Sequence, residues 1–279
     1  MLKMAAFADE AAGNLDGQID ALLRNGITYL EIRGVNGVNV SDMPLDMARD
    51  VHKRLSDAGI RVWSLGSPIG KVDVDDDFNA HLDKFMHTLE IGHILGAQRM
   101  RMFSFYHRNC EKSDTLLRRV LVRINMMLEK SKGSGILLCH ENEKGIYGET
   151  AAECLQIHRE LPALRAVFDP ANFIQCGQEV LPAWDMLKDY VDYLHIKDVD
   201  AQGHLVPAGM GMGQLPKLVE NYARAGGSVM TLEPHLAVFD GLAALEKDGA
   251  SQKGMVFASQ REAFDAAAAA LRGIMEGVK

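Results

Sequence analysis

The sequence lacks the features that would assign it to most specialised classes. It has no CxxC pair; its four cysteines, Cys110, Cys139, Cys154 and Cys176, are widely spaced and read as reduced thiols rather than a disulfide framework. No stretch approaches the roughly 18 uncharged apolar residues that cross a bilayer, so no membrane span is expected. Met1 to Asp9 reaches an acidic pair at once, without the apolar core and cleavage site of a signal peptide. Positive charge is in deficit: Lys and Arg number 30 against 38 Asp and Glu, a net charge of -8. That argues against a nucleic-acid surface, which normally needs a basic stripe, while leaving room for a local basic pocket. No linker or low-complexity tract breaks the chain. A cytoplasmic enzyme acting on a small metabolite is the expectation that remains.

What is present is alternation. Short strand-like runs at Lys3–Ala8, Tyr29–Arg33, Arg61–Leu65, Gln98–Phe103, Gly135–His140, Ala166–Asp169, Tyr193–Ile196 and Ser228–Leu232 are separated by helical patterns. Helices are expected over Asn14–Asn25, through Met47, Val51 and Leu55, from Phe78 to Gly96, and over Leu116–Lys130 and Thr150–Glu160. Three more are expected over Trp184–Tyr190, Leu215–Ala225 and Gln260–Met275, each from apolar residues at 3.6-residue spacing. Asp75-Asp76-Asp77 suits a helix N-terminus, where carboxylates meet the positive end of the dipole. Eight βα units of about 30 residues predict a single (β/α)₈ barrel filling residues 1–279 as one domain. The competing doubly wound sheet would show a glycine-rich loop after the first strand; here that strand runs into Phe7-Ala8-Asp9-Glu10.

In a parallel barrel the chemistry gathers at the C-terminal strand ends. Strand five ends in His140-Glu141-Asn142-Glu143, strand six in Asp169-Pro170-Ala171-Asn172, strand seven in His195-Ile196-Lys197-Asp198 and strand eight in Glu233-Pro234-His235. Each of four consecutive strands thus offers a carboxylate or imidazole to one rim: Glu141, Asp169, His195 and Glu233. One acidic strand end is ordinarily a cap or a solvated loop residue; four in succession are hard to ascribe to chance. Three carboxylates that close would repel one another, and one divalent ion (Mn²⁺, Mg²⁺, Co²⁺ or Zn²⁺) resolves the conflict.

The motifs Glu141-Asn142, Phe168-Asp169-Pro170-Ala171-Asn172, His195-Ile196-Lys197-Asp198 and Leu232-Glu233-Pro234, in this order, resemble the xylose isomerase-like barrel superfamily. That superfamily holds sugar isomerases, ketose 3-epimerases, inosose dehydratases and the endonuclease IV group. The resemblance implies that Glu141, Asp169, His195 and Glu233 bind one metal ion and that Glu141 and Glu233 act as acid and base on a small sugar or polyol. It also implies chemistry through an enediolate, giving isomerisation, epimerisation or dehydration, and it is compatible with a homo-oligomer, since dimers and tetramers are common in the family. Two departures weaken the ketose 3-epimerase reading. Asn172 stands where those enzymes have a histidine, and no arginine falls near Ala201–Gly203, where they carry a substrate contact. An endonuclease IV-like phosphoesterase needs extra histidines; His107 lies near strand four, but Ser67 and Pro68 occupy the end of strand three.

Around this core, Lys197 shares the inward face with His195 and is expected to hold a substrate hydroxyl or anionic group; the alternative is a salt bridge with Asp198 or another neighbour. His235, two residues past Glu233, suits substrate binding or proton shuttling, or else capping. Asn172, Arg101, Lys71 and Arg33 complete the substrate-binding expectation, with pairing to acidic neighbours as the alternative for the three cations. Glu31 is placed to orient Arg33, and His140 to face away in a structural role. Phe7, Trp63, Phe103 and Tyr106 could wall a sugar face or simply pack the core. Gly209, Gly211 and Gly213 follow no strand directly, which argues against dinucleotide binding; a flexible active-site loop is expected there.

Overall fold

The computed structural model describes residues 2–238 and 257–278. Eight strands form one closed barrel: β1 (Lys3–Ala6), β2 (Tyr29–Ile32), β3 (Arg61–Leu65), β4 (Arg99–Met102), β5 (Leu137–Glu141), β6 (Arg165–Phe168), β7 (Val191–Ile196) and β8 (Val229–Leu232). Neighbours pair in parallel around the ring, and β1 closes it against β8 with Ala5 beside Thr231 and Ala6 beside Leu232. The chain is therefore a single (β/α)₈ barrel; of the one-domain expectation over residues 1–279, the part covering 239–256 lies outside the described residues.

The helices begin and end where local chemistry directs. α1 (Leu15–Arg24) is capped by Asn14, whose side chain accepts from the Gly17 N–H. α2 spans Leu45–Asp57. Asp77 caps α3 (Phe78–Leu95), which stops at Gly96 in the left-handed region at φ 70°, a conformation glycine adopts without a Cβ penalty. Ser113 caps α4 (Asp114–Ser131), and Thr150 with Glu153 forms a reciprocal capping box on α5 (Ala151–Glu160). A short α6 (Pro170–Gln175) precedes α7 (Val180–Leu187), followed by α8 (Leu215–Arg224) and α9 (Gln260–Gly277).

Two differences from the sequence expectation have local causes. The helix expected over Trp184–Tyr190 starts at Val180, because Val180, Ala183, Trp184 and Leu187 form its buried stripe. Pro182 obscures that start, yet it stands in the first turn, where a backbone donor is dispensable. The unexpected α6 exists because Asp169 caps it, its Oδ1 accepting from the Asn172 N–H at 2.9 Å.

The core has two parts. A continuous apolar shell fills the space between strands and helices. Inside the barrel, Ala5, Trp63 and Val229 form one small cluster and Cys139, Val167 and Tyr193 another. Register shifts opposite Trp63 and Asp192 bring Ser64 beside Glu31 and Tyr193 beside Val167. Beyond these apolar clusters the inward positions turn charged: Glu31 and Arg33 on and after β2, Arg101 on β4, Glu141 on β5, His195 and Lys197 on and after β7. Ionised groups therefore rest on a dry apolar floor, where their interactions are strong and their desolvation is costly.

Candidate metal centre

Glu141, Asp169, His195 and Glu233 converge at the C-terminal mouth, all buried, with one potential ligand atom from each lying within 4.8 Å of the others. The His195 Nδ1 atom lies 3.2 Å from Glu141 Oε1 and 3.0 Å from Glu233 Oε2. On the other side of the ring, Nε2 lies 3.2 Å from Glu31 Oε2, and Glu31 Oε1 accepts a 2.9 Å hydrogen bond from the Tyr193 hydroxyl. Asn142 ties the two strand ends together: its Nδ2 donates to the Asp169 carbonyl and its Oδ1 accepts from the Asp169 N–H, both at 2.9 Å.

The donor set fits a divalent cation. Glu141 Oε2, Asp169 Oδ2 and Glu233 Oε2 are buried without an aligned hydrogen bond. They do lie within ion-pair range of Arg101 (3.2 Å), Lys197 (2.9 Å) and His195 (3.0 Å), respectively. Three oxygens with unspent lone pairs beside an imidazole nitrogen form a hard-to-borderline set that suits Mn²⁺, Mg²⁺, Co²⁺ or Zn²⁺. The charge balance agrees. Among the described residues seven carboxylates gather here (Asp9, Glu10, Glu31, Glu141, Glu143, Asp169 and Glu233) against four permanent cations (Arg33, Lys71, Arg101 and Lys197).

Protonation equilibria follow from burial and charge. Burial pushes the Asp169 carboxyl up to about 6 against the pull of Lys197. Burial disfavours imidazolium at His195, but Glu141, Glu31 and Glu233 outweigh it and hold the ring well above its ordinary range. Burial likewise opposes ionisation of Glu233, and Lys197 and His195 overcome it, leaving this carboxylate well below its usual value. For Lys197 the desolvation penalty is exceeded by Asp169, and its pKa rises.

The structure places each expected substrate contact against a carboxylate. Lys197 reaches Asp169 rather than Asp198, with Glu233 at 4.0 Å. Arg101 faces Glu141 and is fixed by the Gly66 and Ser67 carbonyls at the end of β3. Arg33 bonds Asp9, Glu10 and Glu233. His235 Nε2 lies 3.3 Å from Glu233 Oε1 and 3.4 Å from Glu10 Oε1. Lys71 bonds Glu143 at 2.7 Å and sits 4.4 Å from the Phe103 ring centroid. Asn172, buried on α6 just past the end of β6, donates to the Asn142 carbonyl at 3.0 Å and approaches Glu141 Oε1 at 3.4 Å.

Several readings need correction. Glu31 is set against His195 and Tyr193, because its inward position on β2 faces β7 across the barrel. Of the two alternatives for Trp63, core packing holds: it lies in the lower apolar plug with Arg99 stacked 3.8 Å from its ring centroid, away from the mouth. Phe7 and Phe103 do border the charged layer: Phe7 meets His195 edge-on at 5.2 Å, and Arg101 lies 5.0 Å from the Phe103 ring. The Gly209–Gly213 stretch is no loose loop. The N–H groups of Gly209, Gly211 and Gly213 all donate to the Asp198 carboxylate at 2.8–3.0 Å, so the segment wraps an internal anion. Asp9 and Glu10 escaped notice as site residues, although they follow β1 at the same rim; the strand-end rule that selected Glu141 would have selected them.

The chain matches the model of the xylose isomerase-like TIM barrel family over residues 19–254 and belongs to that family. No curated protein sequence matches it significantly. Among solved structures it is similar to the probable 3-DHS dehydratase AsbF from Bacillus anthracis, at 13% identity and TM-score 0.76, covering 98% of this chain and 99% of that one. It is also similar to D-psicose 3-epimerase from Clostridium cellulolyticum H10, at 13% identity and TM-score 0.76 with full coverage of both chains. An IolI protein with a bound zinc atom superposes at TM-score 0.75 and 15% identity, covering 100% of this chain and 99% of that one. At such identities the likeness speaks for the fold. Among the described residues no helix is long and apolar enough to cross a membrane.

Proposed function

We propose that this protein is a divalent-metal-dependent isomerase or epimerase of a small sugar, sugar phosphate or polyol, with Glu141, Asp169, His195 and Glu233 as the metal ligands. The observation that carries the reading is the convergence of four buried donors, three of them carboxylate oxygens with no aligned hydrogen bond. Bound there, the ion would polarise a substrate carbonyl and make the neighbouring C–H acidic.

The chain's own groups supply the rest. Glu233, held ionised by Lys197 and His195, is the base that takes a proton from carbon. Glu141, across the cluster on β5 and beside Arg101, serves the opposite face. Lys197 and His235 donate to substrate hydroxyls, and Asn172, Arg101, Arg33 and Lys71 hold the carboxylates and the substrate in register. The apolar floor and the burial of Glu141, Asp169, His195 and Glu233 keep bulk water from the reacting carbon, which protects a carbanion-like species from stray protons.

An inosose dehydratase-like lyase acting on a keto-sugar is the second reading. Lys197 favours it, since a buried ammonium held charged beside Asp169 at 2.9 Å can stabilise the negative charge that develops on a departing hydroxyl. AsbF, the probable dehydratase, shares the fold. The acidic mouth argues against an endonuclease IV-like phosphoesterase.

The test is proton exchange in D₂O. The Mn²⁺-loaded protein is incubated with a panel of ketoses and keto-polyols and followed by NMR. Deuterium entering next to the carbonyl with the formula conserved supports isomerisation or epimerisation. An ultraviolet-absorbing unsaturated or dicarbonyl product supports the lyase. Neither signal with any substrate contradicts proton-transfer chemistry.

A further inference from the structure

Glu233 faces two cation positions. Its Oε2 atom lies 3.0 Å from His195 Nδ1, on the side shared with Glu141 and Asp169. Its Oε1 atom faces a second cluster made with Glu10 and His235, whose ligand atoms also lie within 4.8 Å of one another, all buried. His235 enters that cluster through a left-handed backbone at φ 48°, a conformation rarely held by a residue with a side chain unless its surroundings enforce it. The Glu10 Oε2 atom fixes the turn by accepting from the His235 N–H at 2.7 Å.

A guanidinium lies against this second cluster. Arg33 Nη1 is 3.0 Å from Glu233 Oε1 and 3.4 Å from His235 Nε2, and Nη2 is 3.3 Å from Glu10 Oε1. Asp9 grips the same side chain from behind through two bonds, Nε to Oδ2 at 2.8 Å and Nη2 to Oδ1 at 3.1 Å. Two carboxylates and an imidazole around one point form a ligand set for a divalent ion. A carboxylate shared between adjacent points is how two-metal sites hold ions about 3.5–4 Å apart.

The geometry points to a two-cation centre in which the Arg33 guanidinium is the resident second cation, keeping the protein to one metal ion. Removing that guanidinium opens Glu10, Glu233 and His235 to a second divalent ion. This rests on the reading of the Glu141–Asp169–His195–Glu233 cluster as a metal site. Arg33 is here a positioning residue, holding Glu233 Oε1 while Oε2 remains turned to the first centre.

The experiment counts Mn²⁺ per chain by elemental analysis and examines spin coupling by EPR, in the wild type, Arg33→Ala, Arg33→Lys and the double variant Arg33→Ala/Glu10→Gln, all purified in Mn²⁺. The expected result is one uncoupled ion in the wild type and in Arg33→Lys, two exchange-coupled ions in Arg33→Ala, and one again in the double variant. Arg33→Ala that is folded and gains no ion over the wild type overturns the inference. So does failure of both Arg33→Ala and the bulkier Arg33→Met to fold in Mn²⁺, since an ion at this position would restore the missing charge. A wild type with no ion defeats the functional reading instead; the gain from wild type to Arg33→Ala, and its loss in the double variant, still decides the role of Arg33.

Discussion

The two ring nitrogens of His195 face opposite duties: Nδ1 lies 3.0 Å from Glu233 Oε2 at the candidate metal centre, while Nε2 lies 3.2 Å from Glu31 Oε2 beneath it. A carboxylate behind a ligating histidine fixes its tautomer and raises its basicity, and losing such a partner typically costs 10–100-fold in metal affinity. Glu31→Gln should therefore weaken Mn²⁺ binding by about 10–100-fold, read by titration calorimetry, while the barrel stays folded. Unchanged affinity would show that Glu31 only packs against His195 and Tyr193.

Glu141→Gln and Glu233→Gln keep shape but remove a base. Each should slow deuterium exchange on an accepted substrate by at least about 100-fold, the usual scale of general-base catalysis. If one variant exchanges at the wild-type rate, the two-carboxylate assignment is wrong for that residue.

A third expectation concerns the glycine wrap around Asp198. A Cβ on Gly211 would meet the Val199 carbonyl oxygen at 2.3 Å and Asp198 Oδ1 at 2.4 Å. Neither is the free end of a flexible chain, so the segment must move. Gly211→Ala should destabilise by about 1–3 kcal/mol, seen as a Tm lower by several degrees; a Tm equal to the wild type would mean the wrap yields freely.

The barrel and the four-residue cluster were legible for the same reason. Short apolar runs alternating with period-3.6 helices announce the architecture, and polar residues at strand ends announce the mouth. The partners were less legible. Whether Lys197 would meet Asp169 or Asp198 depends on which side of β7 its backbone continues, and Asp198 turns away to be wrapped by Gly209, Gly211 and Gly213. Glu31 could not be assigned to His195 from a sequence, because the contact runs across the barrel between residues 164 positions apart. Trp63 was open between a sugar wall and core packing, and its place in the lower plug with Ala5 and Val229 is the core alternative.

Buried neutral histidines add to the protein's acid sensitivity. Burial depresses His158, which stacks on Tyr190, to about 4, against an ordinary value of 6.5. Between those values the unfolded chain takes a proton that the folded chain refuses, so stability is full above about pH 6.5 and falls as pH drops towards 4. His81 is depressed to about 4 for the same reason. His158→Gln should flatten the fall in Tm between pH 6.5 and 4.5; a slope identical to the wild type would assign the acid sensitivity elsewhere.

The most direct test of the metal assignment is anomalous diffraction from crystals grown with Mn²⁺. The account predicts one strong peak within ligand distance of Glu141, Asp169, Glu233 and His195 Nδ1, with Arg101 and Lys197 shifted outward from the carboxylates they contact. Crystals in which that space carries no anomalous peak, with Arg101 still on Glu141 and Lys197 still on Asp169, would contradict it and leave the cluster as a buried ion-pair network.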